Sequence, residues 1–410
     1  MNQNKLLPII SYLGIFLLVT GGSYFLFNQL LPTNTQKSKS TAKITPTITS
    51  KPGVISFQGP KTEVCPINGE LFTKEEKDIW STRRPLMVMI ENHSDSRPQS
   101  GLQNADIVYE AVAEGGITRF MGVFYCNAAK GAESKYDLGP VRSARTYFLD
   151  LASEYSDYPL YTHVGGSNCS AATSGGPCTT NKRAQAIEQI ASYGWNNKGT
   201  WGDLSQFSLS YKVCRREPER TGETKDTEHT MYCSSKELWN VAASRGLTNQ
   251  TEIKKTAWDK TYRPWSFKAE DKASSSPTAK TISFDFWGDK NYSVTWKYDP
   301  ATNRYLRYHS GDVAHVDFNT KETIYTKNIV IQFVKEERSV DEHKHNLYGM
   351  IGTGKGVLIQ NGEKTEITWS KANRNSRTIF KTASGSEVNF IPGQTWVEIL
   401  PINTKVSYEG

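Results

Sequence analysis

The chain opens on a run of 23 uncharged, largely apolar residues, Ile9 to Leu31. At about 1.5 Å per residue, a helix of that length crosses a hydrocarbon core of ~30 Å. The pattern predicts a transmembrane signal anchor over residues 1–31, with a cleaved signal as the alternative. The run exceeds the ~7–15 apolar residues usual in a cleaved signal, and no small-x-small cleavage site stands out. Residues 32–63 lose all apolar period and fill with Thr, Ser, Lys and Pro, so they read as a flexible linker. Short β-branched and aromatic runs follow at residues 86–92, 105–113, 117–125 and 159–165, and these predict strands. Between the last two, Ala144, Tyr147, Phe148, Leu151, Ala152 and Tyr155 fall on one stripe of a 3.6-residue period, with Ser143 placed to cap the helix. Residues 181–194 and 234–246 predict two more helices, the second opened by Ser and closed by Gly.

Past a polar break at residues 268–280 the period changes to two. Eight alternating runs, from TISFDFW to QTWVEILP, are separated by Asn-Gly, Asp-Pro and Ser-Gly turns. The fold class expected is therefore α+β: an N-terminal anchor, an α/β mixed-sheet domain over residues 64–267, and a mostly antiparallel β domain over residues 280–410.

Charge alters the reading less than its total suggests. The formal +7 of the 410 residues sits almost wholly at the N-terminus, where residues 1–62 hold six Lys and no acid. The remainder carries 43 basic and 42 acidic side chains. A balanced body lacks the electrostatic footprint of a nucleic-acid binder. Lys37, Lys39 and Lys43 after the apolar run outnumber Lys5 before it, and positive-inside counting alone would leave the body in the cytoplasm. The cysteines argue the other way. All six (Cys65, Cys126, Cys169, Cys178, Cys214, Cys233) follow the apolar run, and none forms a C-x-x-C pair. Disulfides and an oxidising exterior are the expectation, with buried thiols as the alternative. Nearest-neighbour pairing joins Cys169 to Cys178, Cys214 to Cys233 and Cys65 to Cys126.

The segments RRPLMVMIENH, RPQSGLQNADIVYEAVAEGGITRFMGVFY, GPVRSARTYFLDLASEY and LYTHVGGS occur in that order. They are followed by YLRY, NIVIQF, GTGKGVLIQNG and the ending PGQTWVEILP. Over roughly residues 83–410 the chain resembles the YerB lipoprotein family, bacterial envelope proteins built from a two-part domain of unknown function. The resemblance implies a place in the envelope and a fold, and no settled activity. Two departures stand out. No Cys closes the apolar run, so the lipid attachment is not carried over and the signal anchor is expected instead. Thr227-Glu228-His229-Thr230 also stands where the family carries Pro-His-Asn, which weakens any role carried over to His229.

Among constellations able to carry chemistry, GPVRSAR is the most informative. Arg142 precedes the predicted helix and Arg145 falls in its first turn, so their roots lie about 5–6 Å apart. Two guanidinium groups beside free helix N–H groups make Arg142, Ser143 and Arg145 an expected anion site for phosphate or carboxylate. Internal pairing with Glu110, Glu114 or Asp150 is the competing reading. Glu110 and Glu114 lie four residues apart on a predicted strand, about 13 Å, too far for a paired-acid hydrolase. Either can instead orient Arg119, Arg142 or Arg145. His163 enters the glycine loop HVGGS as possible support for a site there. GMIGTGKG fits a phosphate-loop pattern, but Gly356 replaces the Ser/Thr that would hold Mg²⁺ and the segment runs into a strand. His343 and His345 lack a third ligand, and no metal or cofactor is expected.

The expectation is a cell-membrane protein, single-pass and mostly extracytoplasmic, that binds an anionic envelope ligand or a wall-assembly partner through the Arg142/Arg145 face. The rival is an enzyme, a cell-wall polymer phosphotransferase acting on polyprenyl-linked substrates. Its order of elements is loosely similar to the LytR-CpsA-Psr enzymes, with no matching motif.

Overall fold

A computed structural model of the chain describes residues 57–131, 136–169, 177–270, 274 and 276–410. The predicted anchor, Ile9 to Leu31, lies outside them. Among the described residues no helix is long and apolar enough to cross a membrane. The described fold corrects the expected class, because it is mostly β. Four α-helices are present among the described residues: α1 (Lys74–Trp80), α2 (Thr146–Ala152), α3 (Ala186–Ser192) and α4 (Ser235–Ser244), of 7, 7, 7 and 10 residues.

The first half contributes strands β1 (Leu86–Glu91), β2 (Ile107–Glu114), β3 (Ile117–Phe124), β4 (Leu160–His163) and β5 (Asp203–Ser205). The second half begins with β6 (Thr281–Phe284), β7 (Val294–Asp299) and β8 (Arg304–His309). It continues with β9 (Asn328–Val334), β10 (Gly352–Gln360), β11 (Glu363–Lys371), β12 (Ile379–Thr382), β13 (Thr395–Pro401) and β14 (Val406–Glu409).

Ten of these strands make one mixed sheet in the order β12-β11-β10-β9-β13-β2-β3-β1-β4-β5. The mixed sheet of the first half and the strands of the second half meet at β13. All seven of its residues are buried, so it needs a partner on each edge and cover on each face. It pairs in parallel with β9 on one side and with β2 on the other, where Glu398 lies opposite Glu110. Both halves of the chain thus share one sheet.

Alternation along β2 assigns its two faces. Tyr109 meets the Tyr155 hydroxyl at 2.9 Å beyond the end of α2, and the Val112 carbonyl accepts from Tyr147 of α2 at 2.8 Å. The predicted apolar stripe of that helix is buried throughout, although the helix itself runs only from Thr146 to Ala152. Glu110 points the other way, towards an antiparallel sheet built around β8-β7-β6-β14. There Trp296 of β7 packs edge-on against Trp396 of β13, with ring centroids 5.3 Å apart.

Disulfides join Cys65 to Cys126, Cys169 to Cys178 and Cys214 to Cys233, and no described cysteine is free. Cys214 and Cys233 are register partners on adjacent strands, Cys214–Arg216 and Met231–Ser234.

Candidate functional site

Strand β1 is buried along its length and ends at Glu91, with Asn92 and His93 following it. Beside that end runs the Gly-Pro-Val-Arg-Ser-Ala-Arg segment, in extended form. Glu91 N–H donates to the Pro140 carbonyl (2.9 Å), and Arg142 N–H to Met89 (3.0 Å). On its other flank, Ala144 N–H donates to Gly165 (3.0 Å), and Val164 N–H to Arg142 (3.1 Å). The segment thereby threads between the carboxyl ends of the parallel strands β1 and β4, the position where α/β sheets usually hold ligands. Gly139 makes the entry possible. It sits at φ 147°, and a Cβ there would lie 2.6 Å from the Met231 carbonyl.

The predicted cap is displaced. Arg145, in extended conformation, is the N-cap residue of α2 and makes no side-chain cap bond. Ser143 lies two residues upstream, where its carbonyl accepts from Arg119 at 3.0 Å. Arg145 and Arg119 both pair with Glu114, the latter at 3.4 Å. Burial works to raise the Glu114 carboxyl, but the Arg119 and Arg145 guanidinium groups outweigh it and hold the group below the usual carboxylate range. Two of the three arginines are therefore held on one shared carboxylate, largely out of solvent.

Arg142 has a different environment. Its side chain keeps 28% of its surface exposed, against 6% for Arg119 and 10% for Arg145. Its Nε pairs with Glu91 at 3.0 Å and its Nη1 donates to the Glu228 carbonyl at 3.3 Å. The other Glu91 oxygen meets His229 Nδ1 at 2.8 Å. The His93 ring stacks on His229, with centroids 4.6 Å apart and planes within 9°. One ring nitrogen of each and an Asp95 carboxylate oxygen lie within 4.8 Å of one another. His93, Asp95 and His229 are thus residues that could hold a metal. The other such group, Cys65, Asp106 and Cys126, has its sulfurs tied in a disulfide, while Asp106 accepts the Tyr125, Cys126 and Asn127 N–H groups.

His163 is not part of this face. It is buried, with Nε2 on Asp203 (2.8 Å) and Nδ1 on the Gly165 carbonyl (2.6 Å). Glu110 is also elsewhere. It accepts from Thr118 (2.6 Å) and from Arg307 (2.6 Å), both buried. Arg307 in turn donates to His315 Nδ1 (2.7 Å), whose Nε2 donates to Gln99 (2.8 Å). Burial, with Arg307 nearby, holds His315 well below its ordinary pKa, so it is neutral and free to accept. Glu398 is pushed well above the carboxylate range by burial and by the neighbouring Glu110, while Trp296 Nε1 donates to it at 3.0 Å. Glu110 thus has Glu398, and not Glu114, as its neighbouring carboxyl, and both are sealed from solvent.

Sequence reasoning missed Glu91, His93, Asp95 and Arg307. Glu91, His93 and Asp95 carried a signal, since a polar cluster directly follows the apolar run LMVMI. Arg307 did as well, because it alternates with Tyr305 and His309 on one face of RYLRYH. GTGK lies in strand β10, beside an apolar cavity of about 680 Å³ lined by Phe333, Ile351, Trp369 and Ile402.

A chain in two segments stitched through one sheet, with a polar cluster where the first segment's parallel strands end, defines a two-part mixed-sheet fold. The chain belongs to the family described as protein of unknown function (DUF3048): residues 71–248 match its N-terminal domain and residues 282–397 its C-terminal domain. It is 28% identical over 330 residues to "Putative lipoprotein YerB" of Bacillus subtilis, covering 80% of this chain and 84% of that protein. The crystal structure of the YerB protein from Bacillus subtilis matches with a TM-score of 0.62 at 25% identity, over 84% of this chain and all of that one.

Proposed function

We propose that the protein works on the outer side of a bacterial membrane, associated with it, and binds an anionic envelope ligand on the face of Arg142. Three disulfides support an oxidising exterior, as does the description of the relative as a lipoprotein. The observation carrying the ligand reading is the contrast among the three arginines. Arg119 and Arg145 share Glu114 and are largely buried, whereas Arg142, though paired with Glu91, reaches solvent with donors to spare. Ser143 beside it is half-exposed, and its hydroxyl can add one bond.

A charge-assisted hydrogen bond from arginine to phosphate is worth about 1.5–3 kcal/mol, or roughly 10- to 150-fold in affinity. Titration of full-length protein with inorganic phosphate and with polyglycerol phosphate, followed by calorimetry, tests the reading. Arg142→Ala is expected to weaken binding by that factor while the chain still folds, with a lower thermal midpoint because the buried Glu91 keeps only His229. Equal binding by wild type and variant refutes it.

A further inference from the structure

We propose that His93, Asp95 and His229 form a binding site for one divalent transition-metal ion of the zinc class. The two imidazoles and one carboxylate supply N, N and O donors, the set favoured by zinc and its neighbours over calcium or magnesium. The donor atoms lie within 4.8 Å of one another, and an ion at about 2.0–2.2 Å from each requires the half-exposed His93 ring to turn out of its stack on His229 so that both lone pairs converge.

A second observation points the same way. Glu91 holds His229 at Nδ1 (2.8 Å), which fixes that nitrogen as the N–H and leaves Nε2 with its lone pair for an ion. Such a carboxylate behind a histidine is the usual outer support of a metal ligand. The ligands differ in exposure in the order an open site needs. His229 is buried, His93 is half-exposed, and Asp95 is exposed at the rim. Three protein ligands leave a fourth position for water or an added ligand.

The fold, not the local sequence, brings the donors together. His93 and Asp95 follow β1. His229 precedes the Met231–Ser234 strand, whose Met231 carbonyl accepts from Val141 N–H at 2.7 Å beside the arginine segment. Arg142 bonds the same Glu91 carboxylate that supports His229. An ion here adds two positive charges to a face where Glu91, Asp95 and Glu228 offset Arg142, and so favours an anion at the open position. This last step rests on the anion reading above, whereas the metal site itself does not.

The test uses full-length protein freed of metal with EDTA and titrated by calorimetry with zinc chloride, then with cobalt(II) chloride, whose visible absorption reports tetrahedral coordination. One ion per chain is expected. His93→Ala and His229→Ala should each weaken binding at least 100-fold, Asp95→Asn about 10-fold, and His343→Ala not at all. If His229→Ala does not fold, His93→Ala and Asp95→Asn carry the test, because their side chains reach solvent. Absence of zinc binding below 1 mM, or an unchanged affinity in His93→Ala, overturns the proposal. Titration with inorganic phosphate, with and without zinc, separates the two readings. Zinc binding without phosphate binding overturns the anion reading alone, and phosphate binding without zinc binding overturns the metal site alone.

Discussion

Arg307 joins the two sheets, and its removal gives the sharpest stability prediction. Its side chain and that of Glu110 are both completely buried, 2.6 Å apart. Arg307→Met keeps the length and bulk of the side chain and deletes the charge. Glu110 then retains Thr118 at 2.6 Å and Asn92 at 3.4 Å, but no counter-ion. Removing one partner of a buried ion pair costs about 3–5 kcal/mol, because the survivor cannot be rehydrated. With an unfolding entropy of about 2.1 cal/mol/K per residue over a body of roughly 350 residues, the melting point should fall by about 4–7 °C. The double variant Glu110→Gln/Arg307→Met replaces the pair with neutral groups and should recover most of that loss. Urea and thermal unfolding of the four proteins in the cycle, followed by tryptophan fluorescence, gives the coupling energy. Trp296 and Trp396 both lie close to the Arg307 guanidinium, with ring centroids at 5.7 and 5.1 Å, so the probe sits on the network. A double variant whose loss equals the sum of the single losses refutes the reasoning.

Two further outcomes follow from the same architecture. Glu398 is held well above the ordinary glutamate value of 4.5, so its contribution to stability is full below that pH and is lost as pH rises towards the folded-state value. Glu398→Gln keeps an acceptor for Trp296 and carries no charge, so its stability relative to wild type should be near zero at pH 4 and rise steadily to pH 8. Urea unfolding across that range with parallel profiles would sink the assignment. The Cys65–Cys126 bridge closes a loop of 61 residues, for which the chain-entropy relation gives about 4 kcal/mol. The Cys65→Ser/Cys126→Ser variant should lose about that much in denaturant unfolding, and a loss under ~1 kcal/mol would contradict it.

Most strands could be read from local pattern because each needs only its own alternation or apolar run. LMVMIE, ITRFMGVF and NIVIQFV all lie within a residue or two of where the sequence places them. What could not be read was partnership. Nothing in TWVEILP states that it lies between a strand of its own half and one of the other, and so the pairing that joins the two halves was beyond local pattern. The same applies to the site. Arg142 and Arg145 look alike three residues apart, yet one faces Glu91 and the other Glu114, a difference decided by which strand ends the segment threads between. His229 stacks on His93 across 136 positions, beyond the reach of any spacing rule.

The place of β13 in chain order sets a timetable for the molecule's assembly. It pairs with β2, which precedes it by nearly three hundred residues. A chain made at about 5–20 residues per second needs roughly 15–60 s between the two. Throughout that interval β2 offers an open row of N–H and C=O groups to any neighbour. The first half cannot mature ahead of the second, so a chain interrupted before Thr395 is left with a sticky edge and not with a smaller working domain.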